Sequence, residues 1–299
     1  MLQIIQKRKY SYWFSGILIV LSAAALFTWG LRLGIDFKGG TLVEVQFAKD
    51  PVPAVAEVRA PLEELGLQSL MVQATDEGGA IIRYFASDDA MNETVIGKLR
   101  EIDPSLTLLR TDFIGASVSG QIKENAFWGI LLSVLGIAAY IALAFRRVSR
   151  PISSWEYGWG AVIALSHDLF IVTGAFAVFG RFMDVEVGVP FVAALLTILG
   201  YSVNDTIVVY DRVRENLLRA KAKADFEGIV NRSVNETMSR SINTSMTVII
   251  VLAAISMFGG EGVRWFSNAL LLGVVFGTYS SIFVASALLV TRYKMKFEK

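Results

Sequence analysis

The chain has 299 residues, 54% of them hydrophobic and 18% charged, with a formal net charge of +1 and a mean hydropathy of +0.53. So little charge over this length excludes an ordinary soluble protein, and the near-neutral balance argues against a nucleic-acid partner, because neutralising phosphates needs a basic excess on one face. With no cysteine and a single histidine, His167, the chain has no thiolate site or conventional zinc site, and no metal or cofactor is expected.

A helix rising 1.5 Å per residue needs about 20 mainly apolar residues to cross a hydrocarbon core roughly 30 Å thick. Residues 10–31 form the first such window, free of charge between Lys9 and Arg32. Lys7, Arg8 and Lys9, with Ala23, Ala24 and Ala25 further on, also fit a cleaved signal, but the apolar run continues through Leu26, Phe27 and Trp29. That is too long for a signal core, so the segment is expected to be an anchor, with residues 1–33 as the N-terminus and first span.

Phe37, Lys38, Gly39 and Gly40 come next; they lack P-loop spacing and fit a turn where the chain leaves the membrane. Residues 34–122 have soluble composition and are numerous enough for a small domain. Residues 41–47, 69–73, 80–85 and 106–111 have strand patterns, the middle two flanking a turn at Glu77, Gly78 and Gly79. Residues 55–65 and 90–100 have helical spacing. The order βαββαβ predicts an α+β ferredoxin-like domain, with no catalytic cluster, and the glycines and serines of 115–120 lead towards the second span.

The remainder, 123–299, predicts five more spans. Windows 126–145 and 265–291 are free of charge, 155–179 contains His167 and Asp168, 187–210 contains Asp205, and the stretch ending at Phe258 begins beside Arg240. Between the fourth and fifth spans, residues 211–238 carry Arg and Lys with apolar Val213, Leu217, Ile229 and Val234, the pattern of an amphipathic helix on the membrane surface. Tyr10, Tyr12, Trp13, Trp155, Tyr157 and Trp159 fit interfacial anchors.

Basic residues gather at 7–9, at Arg146, Arg147 and Arg150, along 212–240 and at 292–299, whereas the opposite short loops hold only Arg181 and Arg264. An excess of Lys and Arg marks the cytoplasmic side, so both termini are expected there and residues 34–122 outside. The expected class is an α-helical integral membrane protein of six transmembrane helices with a periplasmic α+β insertion, in contact with membrane lipid.

Ionisable residues inside spans are costly and are candidates for function. Thr197, Tyr201, Asn204 and Asp205 fall on one stripe of the fourth span, and Arg240, Asn243, Thr244 and Thr247 on one stripe of the fifth. The first stripe is expected to face protein. Counted from the outer face, Asp205 and Arg240 both lie about 27 Å deep. Desolvation there favours the neutral acid and a guanidinium favours the anion, so small movements could switch a proton on Asp205. The competing reading is structural: Asp205 holds helices together and Arg240 snorkels to headgroups. His167 and Asp168, about 20 Å into the third span, fit either a proton relay or packing through hydrogen bonds. Asp168 and Asp205 could also be paired carboxylates of an intramembrane protease, but Tyr210-Asp211 has no Gly-x-Gly-Asp partner in another span.

The arrangement resembles half of a resistance-nodulation-division transporter, and four motifs narrow the resemblance to the SecD/SecF protein-export family over essentially the whole chain. They are GIDFKGGT from Gly34 to Thr41, ALSHD from Ala164 to Asp168, GYSVNDTIVVYDRVREN from Gly200 to Asn216, and RSINTS from Arg240 to Ser245. The resemblance implies a complex with SecD bound to the SecYEG channel, with YajC and YidC as further partners. That complex would use protons to draw unfolded secretory polypeptides outward and to support membrane-protein insertion. It also implies that Asp205 and Arg240 serve proton passage while the principal proton-accepting acid belongs to SecD. Two rivals remain open, a passive assembly subunit and half of a lipid or small-molecule exporter. A single repeat fits a chain that does not transport alone, because such transporters place their sites between paired repeats.

Overall fold

A computed structural model describes residues 1–75, 78–85, 89–146, 152–220 and 225–297, without the side chains of 89, 90, 261 and 262. Glu77, Arg147 and Arg150, which figure in the sequence argument, lie outside the described residues, as do 221–224. The chain divides into a sheet unit, Leu33–Ala126, and a helical unit, Met1–Arg32 with Phe127–Lys299.

In the sheet unit, alternating apolar residues build strands β1 (Gly40–Gln46), β2 (Gln68–Ala74), β3 (Gly79–Phe85) and β4 (Thr107–Ile114). Helix α3 (Val55–Glu63) joins β1 to β2 and α4 (Asp89–Ile102) joins β3 to β4. The sheet order is β2-β3-β1-β4 with every neighbour antiparallel, so each βα unit straddles an intervening strand. This is the ferredoxin-like order that the sequence predicts. Val43, Val45, Ile82 and Tyr84 on one face of the sheet meet Val58 and Leu62 of α3 and Val95 and Leu99 of α4, all buried. Asp103, at the end of α4, accepts backbone N–H bonds from Ala48 at 2.7 Å, Lys49 at 3.0 Å and Ser105 at 2.9 Å. Burial pushes its carboxyl up, but these three donors outweigh burial and hold it below the usual carboxylate range.

The turn at Gly39 and Gly40 begins with one helical turn, α2 (Ile35–Lys38). Gly39 has φ +79° and Gly40 φ +125°, and a Cβ on Gly40 would lie 2.7 Å from the Tyr84 carbonyl oxygen. Only glycine fits there, so the pair is a structural turn into β1.

Among the described residues, six helices are long and apolar enough to cross a membrane. They are α1 (Arg8–Thr28), α5 (Ala116–Ala144), α6 (Ser154–Phe182), α7 (Val189–Arg219), α8 (Phe226–Phe258) and a sixth that runs from α9 (Glu261–Ser280) through a π turn (Ser281–Ala285) to α10 (Ser286–Phe297). Half of the apolar window of α6 and two-thirds of that of the sixth span are buried, against about a sixth for α1 and α8. The third and sixth spans therefore form the interior of the unit. Close approach there depends on small residues. A Cβ on Gly174 would lie 2.3 Å from Ser22 of α1, and one on Gly277 would lie 2.9 Å from Ser202 of α7.

The separate amphipathic helix expected at 211–238 is not formed by the described residues. Its first part continues α7 to Arg219 and its last part begins α8 at Phe226, capped by Asp225, whose carboxylate accepts from the Glu227 and Gly228 amides. The extensions persist beyond the apolar windows because their polar groups pair with each other. Arg212 bonds Glu236 at 2.6 Å, and Asn216 bonds Ser233 and Glu236, each at 2.9 Å. Against the same end of α8, Asn231 accepts from the Ile4 and Ile5 amides at 2.9 and 3.1 Å and donates to the Leu2 carbonyl, while Glu227 pairs with Arg8 and Lys294.

Two expected interfacial anchors turn inward. Tyr157 is fully buried, stacked on Phe145 and edge-on to Tyr210, and Tyr12 shares a 2.8 Å hydrogen bond with Thr291. Positions two apart differ by about 200° on a helix and positions four apart by about 40°, so Trp155 and Trp159 stay exposed on one side while Tyr157 between them packs on the other.

Candidate functional site

Two carboxylates lie buried within the helical unit, each held by serine hydroxyls from neighbouring helices. Asp168 of α6 is wholly buried. Its Oδ2 accepts from Ser202 of α7 at 2.6 Å and from Ser280 of α9 at 2.7 Å. Its Oδ1 lies 2.9 Å from Nδ1 of His167, whose ring is itself buried and stacks on Tyr279 with centroids 6.2 Å apart. The other imidazole nitrogen, Nε2, is buried with no hydrogen-bond partner. Gly277 keeps α9 near enough to α7 for Ser202 and Ser280 to meet on one oxygen.

Asp205 of α7 sits in a second cage, where Ser241 of α8 donates to Oδ1 and Ser281 donates to Oδ2. One turn away, a chain of hydroxyls runs from Tyr201 to Ser245 at 3.1 Å and on to Thr278 at 2.5 Å. A carboxylate that accepts from two hydroxyls is stabilised as the anion, yet each hydroxyl can also turn and accept. The cages can therefore serve either protonation state.

The expected stripes are only partly assembled. On α7, Asp205 turns inward and Tyr201 is half-buried, but Thr197 and Asn204 are exposed. Positions i and i+7 lie about 80 to 100° round the helix from i+8, so the edge of the packed face divides this stripe. On α8, Arg240, Asn243, Thr244 and Thr247 are all exposed, while the buried face carries Ser241 and Ser245 instead. Among the described residues there is no ion pair between Arg240 and Asp205, and no cluster of three His, Cys, Asp or Glu side chains that could hold a metal.

Sequence reasoning missed Ser202, Ser241, Ser280 and Ser281, because serine in an apolar helix also satisfies itself by bonding back to its own backbone. Two signals were available. Ser241 and Ser245 share a face at i and i+4, and Gly273 and Gly277 form a G-x-x-x-G close-approach motif beside Ser280.

Residues 94–295 match the family model for the protein export membrane protein SecD/SecF, C-terminal, and residues 24–51 match the SecD/SecF GG motif. A protein translocase subunit SecF of Thermobaculum terrenum is 43% identical over 97% of this chain and 94% of its own length. That of Haemophilus influenzae is 35% identical over 94% of this chain and 83% of its own. The crystal structure of SecDF, a translocon-associated membrane protein from Thermus thermophilus, superposes with a TM-score of 0.83 at 31% identity. The match covers 96% of this chain and 38% of that longer one. The matches span both the glycine turn and the helices that carry the two serine cages: the chain belongs to the SecD/SecF family of protein-export membrane proteins.

Proposed function

We infer that the chain is an accessory subunit of the bacterial Sec translocase, a multi-pass protein of the inner membrane with both termini cytoplasmic and residues 34–122 outside. It pairs with SecD and couples proton entry to export through SecYEG. The observation that carries this reading is an exposed polar face inside apolar helices. Thr197 and Asn204 of α7 and Arg240, Asn243 and Thr244 of α8 are exposed in spans where lipid would disfavour them. Such a face is tolerated where a partner's helices cover it. The longer chain of the SecDF structure, of which this chain matches 38%, is consistent with a second half in that place.

In this reading the partner supplies the principal acid, the exposed Arg240 faces it, and Asp205, just inside, receives the proton next. His167 and Asp168 lie further in on the same route. A charge crossing 100 mV yields about 2.3 kcal/mol, enough to bias an outer domain between positions but not to unfold a polypeptide in one step. Asp205→Asn in the complex with SecD, reconstituted with SecYEG, is expected to lower proton-driven export and proton flux about tenfold or more while the complex still co-purifies. Unchanged export and flux would leave the chain as a passive assembly subunit.

A further inference from the structure

Ser280 and Ser281 are consecutive, yet they serve carboxylates on two different helices: Ser280 donates to Asp168 of α6 and Ser281 to Asp205 of α7. At this step the sixth span changes from α to π geometry, in the turn Ser281–Ala285. A π turn holds one residue more than an α turn, is rare, and is concentrated at functional sites. Shifting it along the helix turns the side chains it passes by about 100°, the angular step of one residue. The turn is braced on the far side by Tyr210, whose hydroxyl donates to the Ala285 carbonyl at 3.2 Å. A Cβ on Gly160 would lie 2.6 Å from that hydroxyl, so Gly160 makes the room for it.

We propose that the Ser280–Ser281 step couples the two cages, so that a proton arriving on Asp205 is felt at His167. The proposal rests on the reading of Asp205 as a proton-accepting group. Protonated Asp205 carries an O–H, and the serine to whose oxygen that O–H donates turns its own hydroxyl away. Ser241 stands on a regular α-helix, whereas Ser281 opens the π turn and has a second acceptor in reach, the Thr278 carbonyl at 3.0 Å. Ser281 therefore yields, Ser280 moves with it, and Asp168 loses or reorients one of its two hydroxyl donors. Asp168 retains its bonds to Ser202 and to His167 Nδ1, and the open Nε2 of that ring is the position where a second proton binds. No covalent bond breaks at any stage; one proton arrives at each site and hydroxyls turn.

Among the described residues, Asp168 meets the hydroxyls of Ser202 from α7 and Ser280 from α9, and His167 meets a titratable side chain in Tyr279, which bonds Ser15 and the Ser11 carbonyl of α1. Glu156, beside Arg292 and Lys296 of α10, is 11 residues back along α6, about 17 Å away.

Because His167 is the single histidine, ¹⁵N-histidine labelling of the full chain in lipid nanodiscs gives one imidazole to follow by NMR against pH. Asp205→Asn is expected to move the His167 midpoint by about half a pH unit, roughly a threefold change in proton affinity. In the Ser280→Ala/Ser281→Ala background the same substitution is expected to move it by less than a third of that, a coupling that a double-mutant cycle isolates. A direct effect of charge through space would survive removal of the hydroxyls, so an equal shift in both backgrounds overturns the proposal. No shift on Asp205→Asn in the otherwise unaltered chain also overturns it, and that arm needs no serine variant to fold. Loss of proton flux in Asp205→Asn with a motionless His167 would sink this coupling and leave the proton-pathway reading standing; the reverse pattern would do the opposite.

Discussion

The two kinds of buried carboxylate in this chain differ in their donors. Asp103 is held by three backbone N–H groups, which donate and never accept. Asp168 and Asp205 are held by serine hydroxyls, which do both. The first arrangement fixes an anion, and the second tolerates a proton. Because the folded pKa of Asp103 is depressed below its unfolded value, roughly 3.9, its contribution to stability is full above that value. It is lost as pH falls from there through the folded pKa. Asp103→Asn is therefore expected to loosen the sheet unit at neutral pH and to flatten its acid dependence below about pH 4. Hydrogen exchange of the β1 and β4 amides in the full chain, measured across pH, reads both effects; unaltered exchange would show that the three bonds contribute nothing net.

At the scale of elements, the glycines of α9 decide how the cages are built. A side chain on Gly277 would meet Ser202 at its Cβ and, at 3.3 Å, its Cα, so the helices must part. One on Gly273 would lie 2.2 Å from Cγ1 of Ile198, a buried β-branched side chain that is stiff at χ1 in a helix, so that position holds the helices together as well. Gly277→Val and Gly273→Ala are each expected to destabilise the helical unit by about 1–3 kcal/mol. Reversible unfolding in mixed detergent measures both, and an unaltered stability in either variant would mean that the α7–α9 approach is not set at that glycine. Much of this level was legible in the chain. The apolar windows located all six spans, and the alternation of 41–47 and 80–85 located β1 and β3. What the windows could not give was the length of the helices. Hydropathy reports the thickness of the bilayer, whereas α7 and α8 run on through Arg212, Asn216 and Glu236, which pair across the hairpin. Nor could a stripe of polar residues say which way it faces. Arg240 and Ser241 are adjacent in sequence, and only packing makes one outward and the other a donor to Asp205.

Over the whole chain, the βαββαβ order fixed the topology of the sheet unit, because short connections and antiparallel neighbours leave few alternatives. No periodicity announced that residues 2–5 would dock. Ile5 is fully buried, and a single amide, that of Asn231, serves the Ile4 and Ile5 N–H groups and the Leu2 carbonyl. Asn231→Ala removes all three bonds at once and is expected to speed hydrogen exchange at Ile4 and Ile5 by about tenfold or more. Protection that persists in this variant would show that Ile5 packing and the two bonds between Asn235 and the Leu2 backbone hold the segment without Asn231.

The docking of residues 2–5 also sets a schedule for biogenesis. Ile4 and Asn231 are 227 residues apart, so at about 5–20 residues per second the ribosome delivers Asn231 on the order of 10–45 s after Ile4. During that interval the Ile4 and Ile5 amides have only water or a chaperone to bond. The latch can close only after the fourth span has been threaded and the fifth has begun. A nascent chain arrested before residue 231 should therefore leave this short segment open to protease, and one arrested after the fifth span has emerged should shield it.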